Sequence, residues 1–299
     1  MGRRRKGNKL DGWIVLDKPA DMTSNAALGA VKRLLKPVKA GFAGTLDPLA
    51  TGLLPIGLGE ATKAMPYIVS NTKSYDFDVA WGEDRDTLDR DGTPTGHTGP
   101  VPEERPLRDA LPGFLGEIDQ VPPAFSAIKV DGQRAYDLAR DGQPVALAPR
   151  PVEIDTLDLV RHDPAAGRSR FTMTCGPGTY VRSVARDVAA ALGTVGHVVA
   201  LRRTQVGPFD ESQAISLEKL ESLLHSAPPE EVPLPVMTAL ADIPALAVTE
   251  GEADRLKHGQ GLRLPTTQEG LVRITHDHGL IAVADCRSGQ AHPLRVFNL

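Results

Sequence analysis

The first feature of the sequence that can do chemistry is a single carboxylate in an apolar, glycine-rich segment. Asp47 lies in GFAGTLDPLATGLLP at residues 41–55, between Leu46 and Leu49. Pro48 restricts the backbone of Asp47, and the glycines permit tight turns. A carboxylate among leucines loses water, which is costly unless a cation compensates it or its reactivity is used. The segment therefore predicts a rigid loop that presents one reactive acid, whereas an isolated Asp-Pro pair is more often an ordinary turn.

A candidate cation for this carboxylate is Arg182, in GTYVR at residues 178–182. The spacing of apolar residues predicts a helix from Tyr180 to about Leu192, so Arg182 falls in its first turn. The helix dipole disfavours a cation there, and the arginine therefore needs a partner. An ionised Asp47 would be such a partner, because a guanidinium favours the charged carboxylate whereas desolvation alone favours the neutral acid. The alternative is a solvated surface arginine.

Tyr75 is a further candidate, on a strand whose pattern is clear. From Lys73 to Trp81 apolar side chains alternate with polar ones, as is typical of a half-buried strand. Tyr75 is the one residue of the inward face with a hydroxyl. A tyrosine that only packs in the core is the simpler interpretation of the residues alone.

Three basic residues near predicted strand ends are candidates for contacts with phosphate. Lys18 follows the apolar run WIVL at 13–16, which predicts a buried strand that ends in a turn. It either faces a phosphate or the site carboxylate, or it caps that turn. Arg202 and Arg203 lie in a predicted strand, where they either contact phosphate or form an exposed strand end.

The segments around these residues have recognisable helix and hairpin signals. Thr23 or Ser24 is predicted to cap a helix that runs to the break at Pro37. Asp131-Gly132 suits a hairpin turn, and a helical pattern follows it. The spacing of four aspartates superficially resembles a calcium loop: Asp84, Asp86, Asp89 and Asp91. No acid occupies the third ligand position, and Thr95 stands where the closing glutamate belongs. No metal site is therefore predicted there.

Four ordered motifs resemble those of the bacterial tRNA pseudouridine synthases that modify the T loop. LDKP at 16–19 is similar to the opening of that family, and GTLDPLATGLLP at 44–55 is similar to its catalytic motif. QVPPAFSAIKVDGQRAYDLAR at 120–140 and GTYVR at 178–182 match two further family motifs. The resemblance covers about Leu10 to Phe209 and continues more weakly beyond.

The resemblance implies catalytic roles for three of the candidates. Asp47 would be the catalytic residue, and Arg182 would form an ion pair with it. Tyr75 falls where the family keeps a tyrosine that stacks on the target base. Leu201 corresponds to a leucine that lines the uracil pocket, although a purely structural core position is compatible with that role.

Three more residues would bind substrate on the same grounds: Tyr180, Lys18 and Phe42. Phe42 stands where the family often carries a histidine, and it can stack under a T loop without being able to hydrogen-bond. Ala20-Asp21 departs from the family as well, because a glycine is usual in that turn.

The resemblance implies an α+β protein with the pseudouridine synthase fold: a central mixed, mainly antiparallel sheet with flanking helices. We predict a basic flexible tail at residues 1–9, a catalytic domain at 10–240, and a small β-rich, PUA-like RNA-binding domain at 241–299. A proline-rich linker, PPEEVPLP at 228–235, precedes the last unit. Short apolar runs from residue 245 onward predict its strands.

The composition argues against a disulfide-rich protein, a structural zinc protein and a membrane-spanning protein. Of 299 residues, two are cysteines, too few for a disulfide framework or a structural zinc site. The net charge of −4 argues against bulk attraction to nucleic acid, so an RNA site must be a local basic patch, such as the run RRRK at 3–6. No apolar run reaches the roughly 20 residues of a membrane span, and we expect a cytoplasmic protein.

The leading hypothesis is a monomeric enzyme that isomerises uridine 55 in the T loop of tRNA, bound through the T arm. The reaction needs neither metal nor cofactor, and the sequence has no phosphate-binding loop or dinucleotide fingerprint. Whether Asp47 would attack C6 of uracil or C1′, or abstract a ribose proton, stays open at this point. The alternative is a module that binds and folds tRNA without chemistry. A hydrolase with Asp47 as nucleophile is disfavoured, because no acid-base partner accompanies it.

Overall fold

The structure of the protein is a computed structural model that describes residues 7–130, 132–143 and 145–299. The basic run at 3–6, predicted to belong to a flexible tail, lies outside the described residues. Asp131 of the predicted hairpin turn lies outside them as well.

The described residues form many strands and a smaller number of helices. The strands are β1 (Gly12–Lys18), β2 (Ala40–Phe42), β3 (Thr51–Leu58), β4 (Lys73–Trp81), β5 (Glu83–Arg85), β6 (Pro94–Thr98), β7 (Gly116–Gln120), β8 (Lys129–Val130), β9 (Gln133–Arg134), β10 (Arg150–Asp163), β11 (Arg168–Cys175), β12 (Gly196–Val206), β13 (Phe209–Asp210), β14 (Ala245–Ala247), β15 (Leu262–Arg263), β16 (Gly270–His276), β17 (Gly279–Arg287) and β18 (Gln290–Val296). The α-helices are α1 (Ser24–Leu35), α2 (Met65–Val69), α3 (Glu104–Ala110), α4 (Ala135–Arg140), α5 (Val181–Ala191), α6 (Leu217–Ser226) and α7 (Glu250–Lys257). Among these described helices, none combines the length and apolar character needed to cross a membrane.

A nine-stranded sheet forms the centre of the larger unit. Its main path runs β1-β3-β12-β4-β11-β10-β7, with β2 added to β3 and β13 added to β12. β3 and β12 pair in parallel, and the neighbouring pairs are antiparallel. The predicted α+β fold with a mixed, mainly antiparallel sheet is confirmed. The loop that leads into β3 therefore reaches the middle of the sheet, beside β12 and β4.

Strand β1 is buried on both faces because it separates two hydrophobic clusters. Ile14 and Leu16 belong to a cluster that also contains side chains of α1 and α5. Trp13 and Val15 belong to a second cluster, which includes Phe297 of the C-terminal region. A continuous apolar run is the pattern expected for such a strand, and the buried strand predicted at 13–16 is confirmed.

The C-terminal region forms a five-stranded sheet in the order β14-β16-β17-β18-β15. Its predicted short strands are confirmed, and the helix α7 lies between β14 and β15 in the sequence. Leu280 and Phe297 contribute to the cluster that contains Trp13, so the two sheets share a hydrophobic core. Lys63 adds a hydrogen bond between the two regions, from its Nζ to Val296 O at 2.8 Å. The domain division at residues 240 and 241 stays a prediction.

The local structure differs from the sequence-based expectation in two places. Residues 51–55, interpreted as part of the Asp47 loop, form the first half of β3. Pro55 obscures this strand because proline removes a backbone donor and is uncommon inside sheets. Its carbonyl is nevertheless used, since Ala43 N donates to Pro55 O at 2.9 Å. Helix α6, which starts at the N-cap Ser216, was not predicted.

Candidate active site

Asp47 and Arg182 form a bidentate ion pair. Arg182 Nε donates to Asp47 Oδ2 at 2.9 Å, and Nη2 donates to Oδ1 at 3.1 Å. The arginine side chain is 4% exposed and the aspartate side chain 32% exposed, so a ligand can reach the acid far more easily than its cation. Two parallel charge-assisted bonds fix the orientation of the carboxylate as well as its position. The ion pair expected from the sequence is confirmed.

The guanidinium of Arg182 is also held by two other segments. Its Nη1 donates to Thr87 O at 2.7 Å, and its Nη2 donates to Phe125 O at 3.0 Å. Asp89 lies 3.5 Å from Arg182 Nε, with its side chain 6% exposed. Burial raises the pKa of Asp89, and the hydrogen bond from Thr87 and the charge of Arg182 oppose that rise. The arginine is therefore shared by two carboxylates, one accessible and one buried.

Asp89 was missed as a site residue in the sequence. Its aspartate-rich segment was considered only as a calcium loop, and that comparison gives no reason to separate Asp89 from its neighbours. The one local signal is Leu88, an apolar residue in an otherwise polar segment. Leu88 and Asp89 are both buried, because Leu88 O and Arg90 N form hydrogen bonds with Val198 of β12. Among the described residues, no group of three or more histidine, cysteine, aspartate or glutamate side chains is arranged to hold a metal ion.

Ser24 holds the loop on the N-terminal side of Asp47. Its Oγ donates to Leu46 O at 3.0 Å and accepts from Leu46 N at 2.9 Å. The helix cap itself is Thr23, whose Oγ1 accepts from Ala26 N at 3.1 Å. Of the two predicted capping residues, one thus caps α1, and the other ties the first turn of α1 to the residue before Asp47.

Lys18 holds the loop on the other side of Asp47. Its Nζ donates to Pro48 O at 3.1 Å, Pro19 O at 2.8 Å and Met22 O at 2.7 Å. The residue is fully buried, and burial lowers the pKa of Lys18 to about 8, against the opposing effect of nearby carboxylates. All three donors point at backbone carbonyls, so the geometry matches the turn-capping alternative and not a direct contact with phosphate.

Tyr75 and Leu201 lie side by side under the Asp47 loop. In the register of β4 and β12, Leu201 is opposite Phe77 and Arg203 is opposite Tyr75. Residues two apart on a strand share a face, so these side chains line one surface of the sheet. Tyr75 is 8% exposed and Leu201 is 7% exposed. Burial raises the pKa of Tyr75, and the nearby cation of Arg203 opposes that rise.

Arg203 is in neither of the two places predicted for it. It is 1% exposed, its Nε donates to Leu53 O at 2.8 Å, and its Nη2 donates to Gly44 O at 2.9 Å. The prediction of a phosphate contact or an exposed strand end was wrong, because β12 is an interior strand and Arg203 faces inward. Arg202 faces the other way and pairs with Asp17 through two bonds of 3.0 and 3.1 Å.

Tyr180 and Phe42 lie at the margin of this arrangement. Tyr180 precedes α5 and is half-buried, and its backbone N donates to Gln120 Oε1 at 2.8 Å. Burial raises the pKa of Tyr180, and the charges of Asp47 and Arg182 act on it in opposite directions. Phe42 is half-buried in β2, where it pairs with Ile56 and packs against the main hydrophobic cluster.

A cleft of about 250 Å³ adjoins the site at Leu49, two residues after Asp47. Its walls combine apolar side chains with arginines and aspartates from several elements; they are Ala20, Leu49, Thr51, Asp76, Phe77, Asp78, Arg90, Arg170, Ala200, Leu201 and Arg202. The site thus combines an accessible carboxylate, a buried cation that holds it in place, and a partly apolar cleft with Leu201 in its wall.

Family models match nearly the whole chain. The model described as TruB family pseudouridylate synthase (N terminal domain) matches residues 32–181. The tRNA pseudouridylate synthase B C-terminal domain matches residues 182–241, and the model described as Pseudouridine synthase II TruB, C-terminal matches residues 244–297.

Curated relatives align over the full length of the chain. The tRNA pseudouridine synthase B of Caulobacter vibrioides is 50% identical over 311 residues, which cover 100% of both chains. The protein of the same name from Gluconacetobacter diazotrophicus is 53% identical over 306 residues, covering 99% of this chain and 100% of the relative. The chain belongs to the TruB family of pseudouridylate synthases. It is therefore an enzyme of the isomerase class.

Solved structures agree with this TruB-family assignment at the level of the fold. A chain in a Cbf5-Nop10-Gar1 complex superposes with a TM-score of 0.74, covering 96% of this chain and 84% of that chain at 23% identity. A chain in an H/ACA RNP bound to a substrate RNA containing 2′-deoxyuridine gives the same TM-score and identity.

Proposed function

We propose that the protein isomerises uridine 55 in the T loop of tRNA to pseudouridine, with Asp47 as the catalytic carboxylate. Its relatives, about half identical over the whole chain, are named tRNA pseudouridine synthase B, and the protein accordingly modifies tRNA. The observation that carries the role of Asp47 is its bidentate pair with a buried arginine. A carboxylate that is accessible and held beside a fixed cation suits nucleophilic or basic chemistry.

The atom balance of the reaction fits this set of residues. The bond between N1 and C1′ breaks, the uracil turns, and a bond between C5 and C1′ forms. C5 gives up its proton and N1 takes one up, so the product is an isomer of the substrate. No electron or phosphate leaves the substrate. Asp47 would attack C6, attack C1′, or take a ribose proton to give a glycal, and each route starts from an ionised carboxylate.

The surrounding side chains supply what an extruded base requires. Enzymes that act on a nucleobase take it out of its stack and hold it between apolar and aromatic groups. We assign this role to Tyr75 and Leu201, which share a hydrophobic cluster with Leu46 and Leu49 on either side of Asp47. Tyr180, which lies close enough for the charge of Asp47 to act on it, and Phe42 would bind other parts of the substrate. Lys18 acts on the substrate indirectly, by holding Pro48.

Recognition of the T arm, a monomeric state and a cytoplasmic location complete the proposal. RNA-binding by the C-terminal sheet belongs to it as well. Each of these stays a prediction.

The substitution Asp47→Asn tests the catalytic role. Asparagine keeps the shape of the side chain but removes its charge, so we expect tRNA to bind as before while no tritium is released from uridine labelled at C5. Asp109→Asn is the matched control, because Asp109 is 72% exposed on helix α3, away from the site, and should leave release unchanged. Retained release by Asp47→Asn would contradict the proposed role.

The same experiment separates the alternative function. A module that binds and folds tRNA without chemistry would bind tRNA in both variants, and the wild type would release no tritium. Nucleotide-resolved mapping of pseudouridine in the treated tRNA identifies the modified position. Pseudouridine at a position other than 55 would refute the T-loop assignment and leave the role of Asp47 standing.

A further inference from the structure

Arg203 is a buried cation that the proposed chemistry does not use. Its side chain is among the largest that are fully buried, and no ion pair joins it to a carboxylate among the described residues. Removing a charge from water without a directly paired carboxylate is expensive, and burial lowers the pKa of Arg203, an effect that the interaction with Tyr75 and the charge of Asp47 oppose. A group retained at such a cost should perform a task that a neutral side chain cannot.

The hydrogen bonds of Arg203 show what that task is. Its Nη2 donates to Gly44 O at 2.9 Å and its Nε donates to Leu53 O at 2.8 Å. These two carbonyls bracket the segment that carries Asp47, one on each side. The planar fork of a guanidinium can satisfy both at once, whereas the ammonium of a lysine acts as a single point.

Two glycines show how closely the segment is fitted to Arg203. Gly44 has a φ of +75° and Gly52 a φ of +94°, both in the left-handed region that favours glycine. A Cβ on Gly44 would lie 3.1 Å from Arg203 Nη1, and one on Gly52 would lie 2.2 Å from Arg203 O. The contact at Gly44 is with the Arg203 side chain and the one at Gly52 is with its backbone, so the chain on both sides of Asp47 lies close against residue 203 of β12.

Arg203 also contacts the other half of the site. It lies directly opposite Tyr75 in the β4–β12 register, and its charge opposes the rise in the pKa of the Tyr75 hydroxyl. One side chain thus touches the strand that carries Tyr75 and the segment that carries Asp47.

We propose that Arg203 is a positioning residue for the reaction, which clamps both ends of the Asp47 segment and sets its place relative to Tyr75. The inference rests on the proposed function, because it assumes that the two residues act on one base. A displacement of about 1 Å in a catalytic group can cost about 100-fold in rate. Loss of one of the two hydrogen bonds of Arg203 is expected to displace Asp47 by a distance of this order.

Single-turnover tritium release by Arg203→Lys tests this proposal. We expect the rate constant to fall about 100-fold, while the Kd for tRNA stays close to that of the wild type. The melting temperature should fall, because one buried carbonyl loses its hydrogen bond. The control is Arg108→Lys on α3, which removes a half-exposed guanidinium that pairs with Glu104 and donates to Leu159 O at 3.1 Å, and it should be nearly as fast as the wild type. If Arg203→Lys is partly unfolded, the rate is divided by the folded fraction measured by circular dichroism.

A double-mutant cycle with Tyr75→Phe distinguishes positioning from a general structural role. If Arg203 sets Tyr75 against Asp47, the two substitutions are not additive in the single-turnover rate constant of the folded enzyme, whereas an arginine that only supports the fold gives coupling in the free energy of unfolding and additive losses in rate. A wild-type rate for Arg203→Lys, or additive losses, overturns the inference while the proposed function stands. A wild type that forms no pseudouridine overturns the proposed function itself, and the inference with it.

Discussion

Arg182→Lys is the substitution whose effect the geometry predicts in most detail. Arg182 makes two hydrogen bonds to Asp47 and one each to Thr87 O and Phe125 O. A lysine keeps the positive charge but has one nitrogen, which cannot reach both carboxylate oxygens and both carbonyls. The variant therefore separates the contribution of the bidentate hydrogen bonding to the rate from the contribution of the positive charge.

The expected loss follows from one missing bond to the carboxylate. A hydrogen bond to a charged group contributes about 1.5–3 kcal/mol, and about 1.4 kcal/mol corresponds to a tenfold change in rate. If that bond is needed to orient Asp47 in the transition state, the rate constant falls by about 10- to 150-fold. The Kd for tRNA should change little, because the guanidinium is 4% exposed and out of reach of the RNA.

The assay is single-turnover tritium release with enzyme in excess, alongside a filter-binding measurement of the Kd. Arg186→Lys is the control on the same helix, where Arg186 pairs with Asp187 at 2.8 Å and is partly exposed. It should react at nearly the wild-type rate. A wild-type rate for Arg182→Lys would refute the argument, and so would an equal loss in both variants.

Two further predictions concern stability. Burial lowers the pKa of Lys18 from 10.5 to about 8, so between these pH values the unfolded chain binds the proton more tightly and the free energy of unfolding should rise with pH. Urea titrations of the wild type and Lys18→Met across this pH range check the prediction. A difference in the free energy of unfolding that does not change with pH would contradict it. The substitution Gly52→Ala should lower the free energy of unfolding by more than about 2 kcal/mol, because the strain of a left-handed backbone conformation adds to the clash with Arg203 O. The control Gly251→Ala in α7 has no atom within 4 Å of the new Cβ, and equal melting of the two variants would contradict the prediction.

Local patterns in the sequence were enough to predict the parts of the site that depend on periodicity. The alternation from Lys73 to Trp81 gives β4 with its observed bounds and places Tyr75 on the buried face. The unfavourable dipole at Arg182 correctly indicated a negative partner, which is Asp47. Both arguments use short-range physics, and neither depends on how strands are ordered in the sheet.

The errors arise where sheet order decides the environment. Arg203 looked like a strand-end residue because nothing local shows that β12 lies between β3 and β4. One signal was present, since Leu201 and Arg203 are two residues apart and must share the inward face. For Lys18 the sequence allowed either a contact with phosphate or the site carboxylate, or the capping of a turn. It could not decide between them for the same reason, because the carbonyl of Pro48, which Lys18 contacts in the structure, is distant in sequence.

The cluster on the far side of β1 has a consequence for how the enzyme is made. The ribosome releases Trp13 long before Phe297, which belongs to the same hydrophobic cluster. The cluster on this face of β1 is therefore incomplete until the C-terminal sheet has folded. Substitutions in that distant sheet should accordingly also loosen the strand that ends in Lys18.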